Sequence, residues 1–151
     1  MDPALTHRER LVPPWWMLLV LLLIVPATLL VFLPVSIEVG IAVAMLLYAG
    51  IVIALWAGAP VVEVRDGTLR AGRARIGVAD LGTADALLGP EAKDAMRAGW
   101  DPADHHVISP WTTSLVRVAV VDESDPTPAW VISTRRPEAL VAAISAARAA
   151  R

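Results

Sequence analysis

Two long apolar runs dominate the first sixty residues. From Trp15 to Leu33 the only polar side chain is Thr28, and from Val39 to Ala57 only Tyr48 carries a hydroxyl. Each run is long enough to cross a hydrocarbon core, which needs about 20 apolar residues, so the pattern predicts transmembrane helices over about 15–33 and 39–57. Pro13 and Pro14 suit a helix start, where a missing N–H costs little, and Trp15, Trp16 and Trp56 suit the headgroup boundary. Pro34, Ser36 and Glu38 interrupt the runs and predict a tight connection, hence an antiparallel hairpin over residues 13–59. Pro26 should kink the first helix.

A signal peptide is the competing reading of the first run, because Arg8 and Arg10 precede it. The run exceeds the usual h-region of roughly 7–15 residues, no A-x-A-like cleavage site follows, and a second span arrives at once. Arg8 and Arg10 flank one end of the pair and Arg65, Arg70, Arg73 and Arg75 follow the other, while the connection holds only Glu38. The positive-inside rule then predicts a multi-pass inner-membrane protein with both termini cytoplasmic, residues 1–12 forming an N-terminal tail. Gly50, Ala54 and Gly58 follow one another at steps of four, as do Gly40 and Ala44, a small-residue stripe that packs a helix against its neighbour or a second subunit. No ionisable residue lies inside either span, so a proton relay or ion-coupled carrier is not expected.

After Pro60 the pattern changes to short alternating segments. Val62 and Val64 alternate with Glu63 and Arg65 before Asp66-Gly67, the two-residue hairpin signal, and Thr68 to Arg70. Gly72-Arg73 make a second turn, and Ala74 to Val78 predict a third strand. Ala92, Ala95 and Met96 predict a short helix between Pro90 and Gly99. Leu115 to Val121 is nearly apolar on both faces and belongs in a sheet centre. Trp130 to Ile132 reads as another strand, and Leu140, Val141, Ile144 and Ala147 give an amphipathic helix over 137–150, with Arg148 and Arg151 near its C-terminal end. Residues 60–151 therefore predict a small antiparallel β barrel or sandwich capped by the last helix, a membrane hairpin plus an α+β domain.

Composition adds limits more than chemistry. The chain of 151 residues is 56% hydrophobic and 19% charged, with net charge -2 and no cysteine. Thiolate chemistry and disulfides are excluded, and there is no basic excess for nucleic acid. Asp101, Asp104, His105 and His106 form the only cluster of metal-ligand types, but adjacent histidines point to opposite sides of an extended chain. A metal-assisted enzyme on Asp104, His105 and His106 is the weakest of three readings, since no nucleophile-elbow, P-loop, dinucleotide or zincin motif is present. No cofactor and no catalysis are expected.

Arg65, Arg70, Arg73 and Arg75 are the most informative charges, able to attract anionic headgroups by about 1 kcal/mol each at low salt. Arg135 and Arg136 stand at a helix start, which is unfavourable for cations, so a carboxylate or phosphate partner is expected, either Asp122, Glu123 or Asp125 within the protein or a bound lipid or partner. Trp100, Trp111 and Trp130 read as core or rim anchors, and an exposed pair of them, Trp111 and Trp130 above all, would mark a protein-binding face, with Arg117 a further candidate contact.

The stretches Val61 to Arg70, Ile76 to Leu81 and Val131 to Glu138 resemble bacterial pleckstrin-homology-like domains tethered to membranes. Glu9 to Trp16, Ser109 to Arg117 and Asp125 to Pro137 are similar to a family of small actinobacterial double-spanning membrane proteins of unknown function, over nearly the whole chain. Twelve arginines against one lysine fit a GC-rich genome. The resemblance implies an inner-membrane protein and brings no catalytic or binding residues. The expected function is a membrane-tethered binding or assembly module, with the bilayer and a protein partner or second copy as its contacts; recognition of anionic lipid by the arginine hairpin is the alternative.

Overall fold

The computed structural model describes residues 5–150. The chain forms two compact units, residues 12–59 and a second unit that joins the segment before residue 12 to the chain after residue 59.

The first unit holds α1 (Trp15–Leu21), α2 (Ile24–Phe32) and α3 (Ile37–Ala57). Pro26 has no N–H for the Leu22 carbonyl, which accepts instead from the Val25 N–H at 3.0 Å, and the helix is interrupted at Leu22–Leu23. Trp15–Phe32 and Ile37–Ala57 are long and apolar enough to cross a membrane, by length and composition. Ser36 starts α3, its Oγ accepting from the Val39 N–H at 3.4 Å. The polar side chains of the runs are satisfied: the Thr28 hydroxyl donates to the Ile24 carbonyl at 2.7 Å, and the Tyr48 hydroxyl to the Leu18 carbonyl at 3.3 Å. The small-residue contact lies at Gly40 and Ala44, both buried. A Cβ on Gly40 would stand 3.0 Å from Phe32 Cβ, whereas one on Gly50 would meet nothing within 4 Å. Within this unit the close approach thus uses the start of α3, and Gly50 in the stripe Gly50, Ala54, Gly58 faces open space.

The second unit contains β1 (Leu5–Arg10), β2 (Val61–Arg65), β3 (Thr68–Ala71), β4 (Ala74–Gly77), β5 (Leu81–Leu87), α4 (Gly89–Ala95), β6 (His105–Val107), β7 (Leu115–Val120), β8 (Ala129–Ser133) and α5 (Pro137–Ala149). One sheet has the order β1-β2-β3-β4 and the other β5-β7-β8-β6. Asp66 and Gly67 both have positive φ, as the tight β2–β3 turn requires. Core-facing Val62, Val64, Leu69 and Ala71 of the first sheet meet Val116, Val118, Trp130 and Ile132 of the second, and Leu140, Ala143 and Ile144 of α5 close the same core.

The structure departs from the sequence expectations in three places. The segment read as a tail supplies β1, paired antiparallel to β2 from Arg10 opposite Val61 back to Leu5 opposite Arg65; residues 1–4 lie outside the described residues, as does Arg151. After β4 the chain makes a 3-10 turn at Val78–Asp80 and enters the other sheet as β5. The second sheet is mixed, because β6 runs parallel to β8.

Candidate functional site

Strand register assembles a basic row on the outward face of the first sheet. Arg8 on β1 lies opposite Glu63 on β2, Glu63 opposite Arg70 on β3, and Arg70 opposite Arg75 on β4. The alternation that buries Val62, Val64 and Leu69 sends these neighbours to the other face. With Arg65, Asp66 and Thr68 they line a cavity of about 460 Å³. Arg65 Nε stands 3.2 Å from Asp66 Oδ2, and Arg70 Nε donates to the Gly72 carbonyl at 3.2 Å. Three of the four expected arginines meet here; Arg73 lies in the β3–β4 turn and does not line the cavity. Arg8 joins them, unseen in the sequence because a tail was expected in place of a strand.

The carboxylate at the Arg135–Arg136 corner is Glu9. The Thr134 hydroxyl donates to Glu9 Oε2 at 2.6 Å, and the Arg135 backbone N–H donates to Oε1 at 3.0 Å. Asp122 and Asp125 serve their own loop instead: Asp122 Oδ1 accepts from the Ser124 hydroxyl at 2.7 Å and its N–H at 2.9 Å, which holds the Asp122 carboxyl below the usual range, and Asp125 Oδ1 accepts from the Thr127 N–H. His7 is buried beside Glu9, its Nε2 3.9 Å from Oε2. Burial pushes the His7 pKa down, Glu9 pulls it up, and Arg136 lowers it further, for a net decrease.

A profile of the DUF3093 family, proteins of unknown function, matches residues 6–144. The chain belongs to that family. No curated protein and no solved structure matches it. The match runs through the helical unit and most of the β unit, including β1 and the Glu9 corner of this DUF3093 chain.

The metal-type cluster is engaged elsewhere. Asp104 Oδ2 pairs with Arg117 Nη2 at 3.0 Å, the His106 ring stacks on Trp100 with centroids 3.6 Å apart, and His105 tilts against Trp130 at 4.7 Å. Among the described residues no group of three or more His, Asp or Glu is placed to hold a metal ion. Trp130 is a core residue, 5% exposed, which removes it from the expected protein-binding face, and Trp111 is half-buried. On the outer side of the second sheet, Ala92 of α4 packs with Leu115 and Val131. A smaller, mainly apolar cavity of about 220 Å³ lies beside them, with Met96, Ile108 and Pro110 in its walls.

Proposed function

We propose that this DUF3093 protein is an integral inner-membrane protein, a membrane-tethered binding or assembly module without catalysis, with its β unit in the cytoplasm. The observation that carries the reading is the closure of the helical pair at its base. Arg10 pairs with Val61, and the Leu11 N–H donates to the Pro60 carbonyl at 3.0 Å, so the chain leaves for the helices and returns from them on adjacent strands of one sheet. A sheet that needs both β1 and β2 requires both ends of the hairpin on one side of a bilayer. Exposed apolar side chains along the helices, Leu30 and Leu46 more than 70% exposed among them, support lipid as their solvent. The arginine bias of the flanks supports the cytoplasmic side.

Two four-stranded sheets around a shared core closed by α5 support the pleckstrin-homology-like reading, from which the parallel β6 departs. The open surface at Gly50 supports contact of α3 with a second helix, from a second copy or a protein partner.

A second reading, recognition of anionic lipid, is favoured by the basic row itself. Purification in native nanodiscs with mass spectrometry of the bound components separates the two. A stoichiometric protein partner supports assembly, and enriched anionic lipid without protein supports lipid recognition. Recovery of the protein in the soluble fraction contradicts both.

A further inference from the structure

The cavity on the first sheet gathers positive charge at one place on the outward face. Four guanidinium groups, those of Arg8, Arg65, Arg70 and Arg75, face two carboxylates, Glu63 and Asp66, a formal surplus of two positive charges. Arg70 and Arg75 are direct cross-strand partners, an arrangement that destabilises a sheet when like charges stand opposed. Among the described residues the cavity holds one ion pair, Arg65 with Asp66, and Glu63 lies between Arg8 and Arg70 in the row. Arg75 has its nearest in-register carboxylate two strands away.

We infer that this cavity binds a phosphate group carrying two negative charges, a phosphomonoester or terminal diphosphate, in preference to the singly charged phosphodiester of bulk anionic lipid. The inference rests on the reading of the basic face as an anion-binding surface and gives that surface a ligand class. A dianion matches the surplus charge and relieves the Arg70–Arg75 opposition. Guanidinium forks present paired N–H donors that fit phosphate oxygens, which a point charge does not. The hydrogen bond from Arg70 Nε to the Gly72 carbonyl orients that guanidinium and leaves its terminal nitrogens to a ligand. The Thr68 hydroxyl on the same wall is a further donor. The phosphate belongs either to a lipid headgroup or to a soluble phosphorylated molecule, and the chemistry of recognition is common to both.

The lining contains no histidine. A phosphomonoester has its second pKa near about 6, so its binding weakens as pH falls through that value, while a phosphodiester shows no such step.

The test uses the full chain in phosphatidylcholine nanodiscs, titrated at physiological salt with dioctanoyl phosphatidic acid, dioctanoyl phosphatidylglycerol and inorganic pyrophosphate. Phosphatidic acid or pyrophosphate is expected to bind at least about tenfold more tightly than phosphatidylglycerol. Arg70→Gln and Arg75→Gln are each expected to weaken that binding by about tenfold, the scale of one lost charge-assisted hydrogen bond. Arg73→Gln leaves it unchanged, and Glu63→Gln tightens it. Phosphatidic acid binding without pyrophosphate binding points to a lipid headgroup, and pyrophosphate binding as well points to a soluble phosphate. Equal affinity for phosphatidylglycerol, or an equal loss in Arg73→Gln, overturns the inference while leaving the anionic-lipid reading intact. Absence of binding to all three probes overturns both.

Discussion

Thr134 donates its hydroxyl to Glu9 Oε2 at 2.6 Å across a separation of 125 residues. The same carboxylate receives the Arg135 N–H, so a side chain of β1 satisfies the backbone at the start of α5, whose own N-cap residue Arg136 supplies no side-chain cap. A negative charge at that end also suits the helix dipole. Glu9→Ala is expected to cost about 2 kcal/mol by leaving the buried Thr134 hydroxyl and an N–H without their acceptor. Denaturant unfolding of the purified full chain measures it, with Glu138→Ala, an exposed residue of the first turn of α5, as the control that loses only a dipole contribution of under about 1 kcal/mol.

His7 makes this corner sensitive to acid. Its pKa is lowered in the folded protein below 6.5, so the unfolded chain takes up the proton first and stability falls as pH drops below about 6.5. Well above that value both states hold a neutral ring and His7 contributes no slope. His7→Gln should flatten the decline between pH 6.5 and 5.5 in thermal melts, and an unchanged slope would assign the decline to other groups.

Gly40 and Gly50 should respond oppositely to added volume. Gly40→Leu forces side-chain atoms into Phe32 and Leu29 and is expected to destabilise the helical pair by about 1–3 kcal/mol, whereas Gly50→Ala meets open space and gains helix propensity. Thermal stability in detergent reads both directly, and equal losses would contradict the placement of the contact at the start of α3.

Asp104 tests the second sheet. Its side chain is 1% exposed and its Oδ2 is held by Arg117, itself 45% exposed. Arg117→Met strands a buried carboxylate and should cost about 2 kcal/mol, below the roughly 3–5 kcal/mol of a fully buried pair because solvent screens the arginine. Adding Asp104→Asn should recover more than half of the loss in a double-mutant cycle.

Hydropathy marks both apolar helices, β7 and α5, and turn chemistry marks Asp66-Gly67, because each carries a strong local period or turn signal. The segment Leu5–Arg10 shows none, since its inward residues are the buried His7 and the partly buried Glu9, which meet a corner made more than a hundred residues later. β5, with the sequence LGTADAL, hides for a related reason: its small and polar residues pack through Gly82 and Ala84 without a hydrophobic alternation. The arginines were visible as residue types, but their grouping depends on register. Arg8 entered the cavity and Arg73 left it only once β1 and the β3–β4 turn were placed. Trp130 carries no sequence mark that separates a core tryptophan from a surface one.

The central claim is that the helical pair crosses a bilayer and returns, leaving the β unit on the cytoplasmic side. The chain has no native cysteine, so single cysteines report position without background. Glu38→Cys in the connection and Asp66→Cys in the β2–β3 turn, each in intact cells, are to be labelled with a membrane-impermeant maleimide before and after permeabilisation. The account predicts labelling of position 38 from outside and of position 66 only after permeabilisation; labelling of both from the same side, or of position 66 in intact cells, would contradict it.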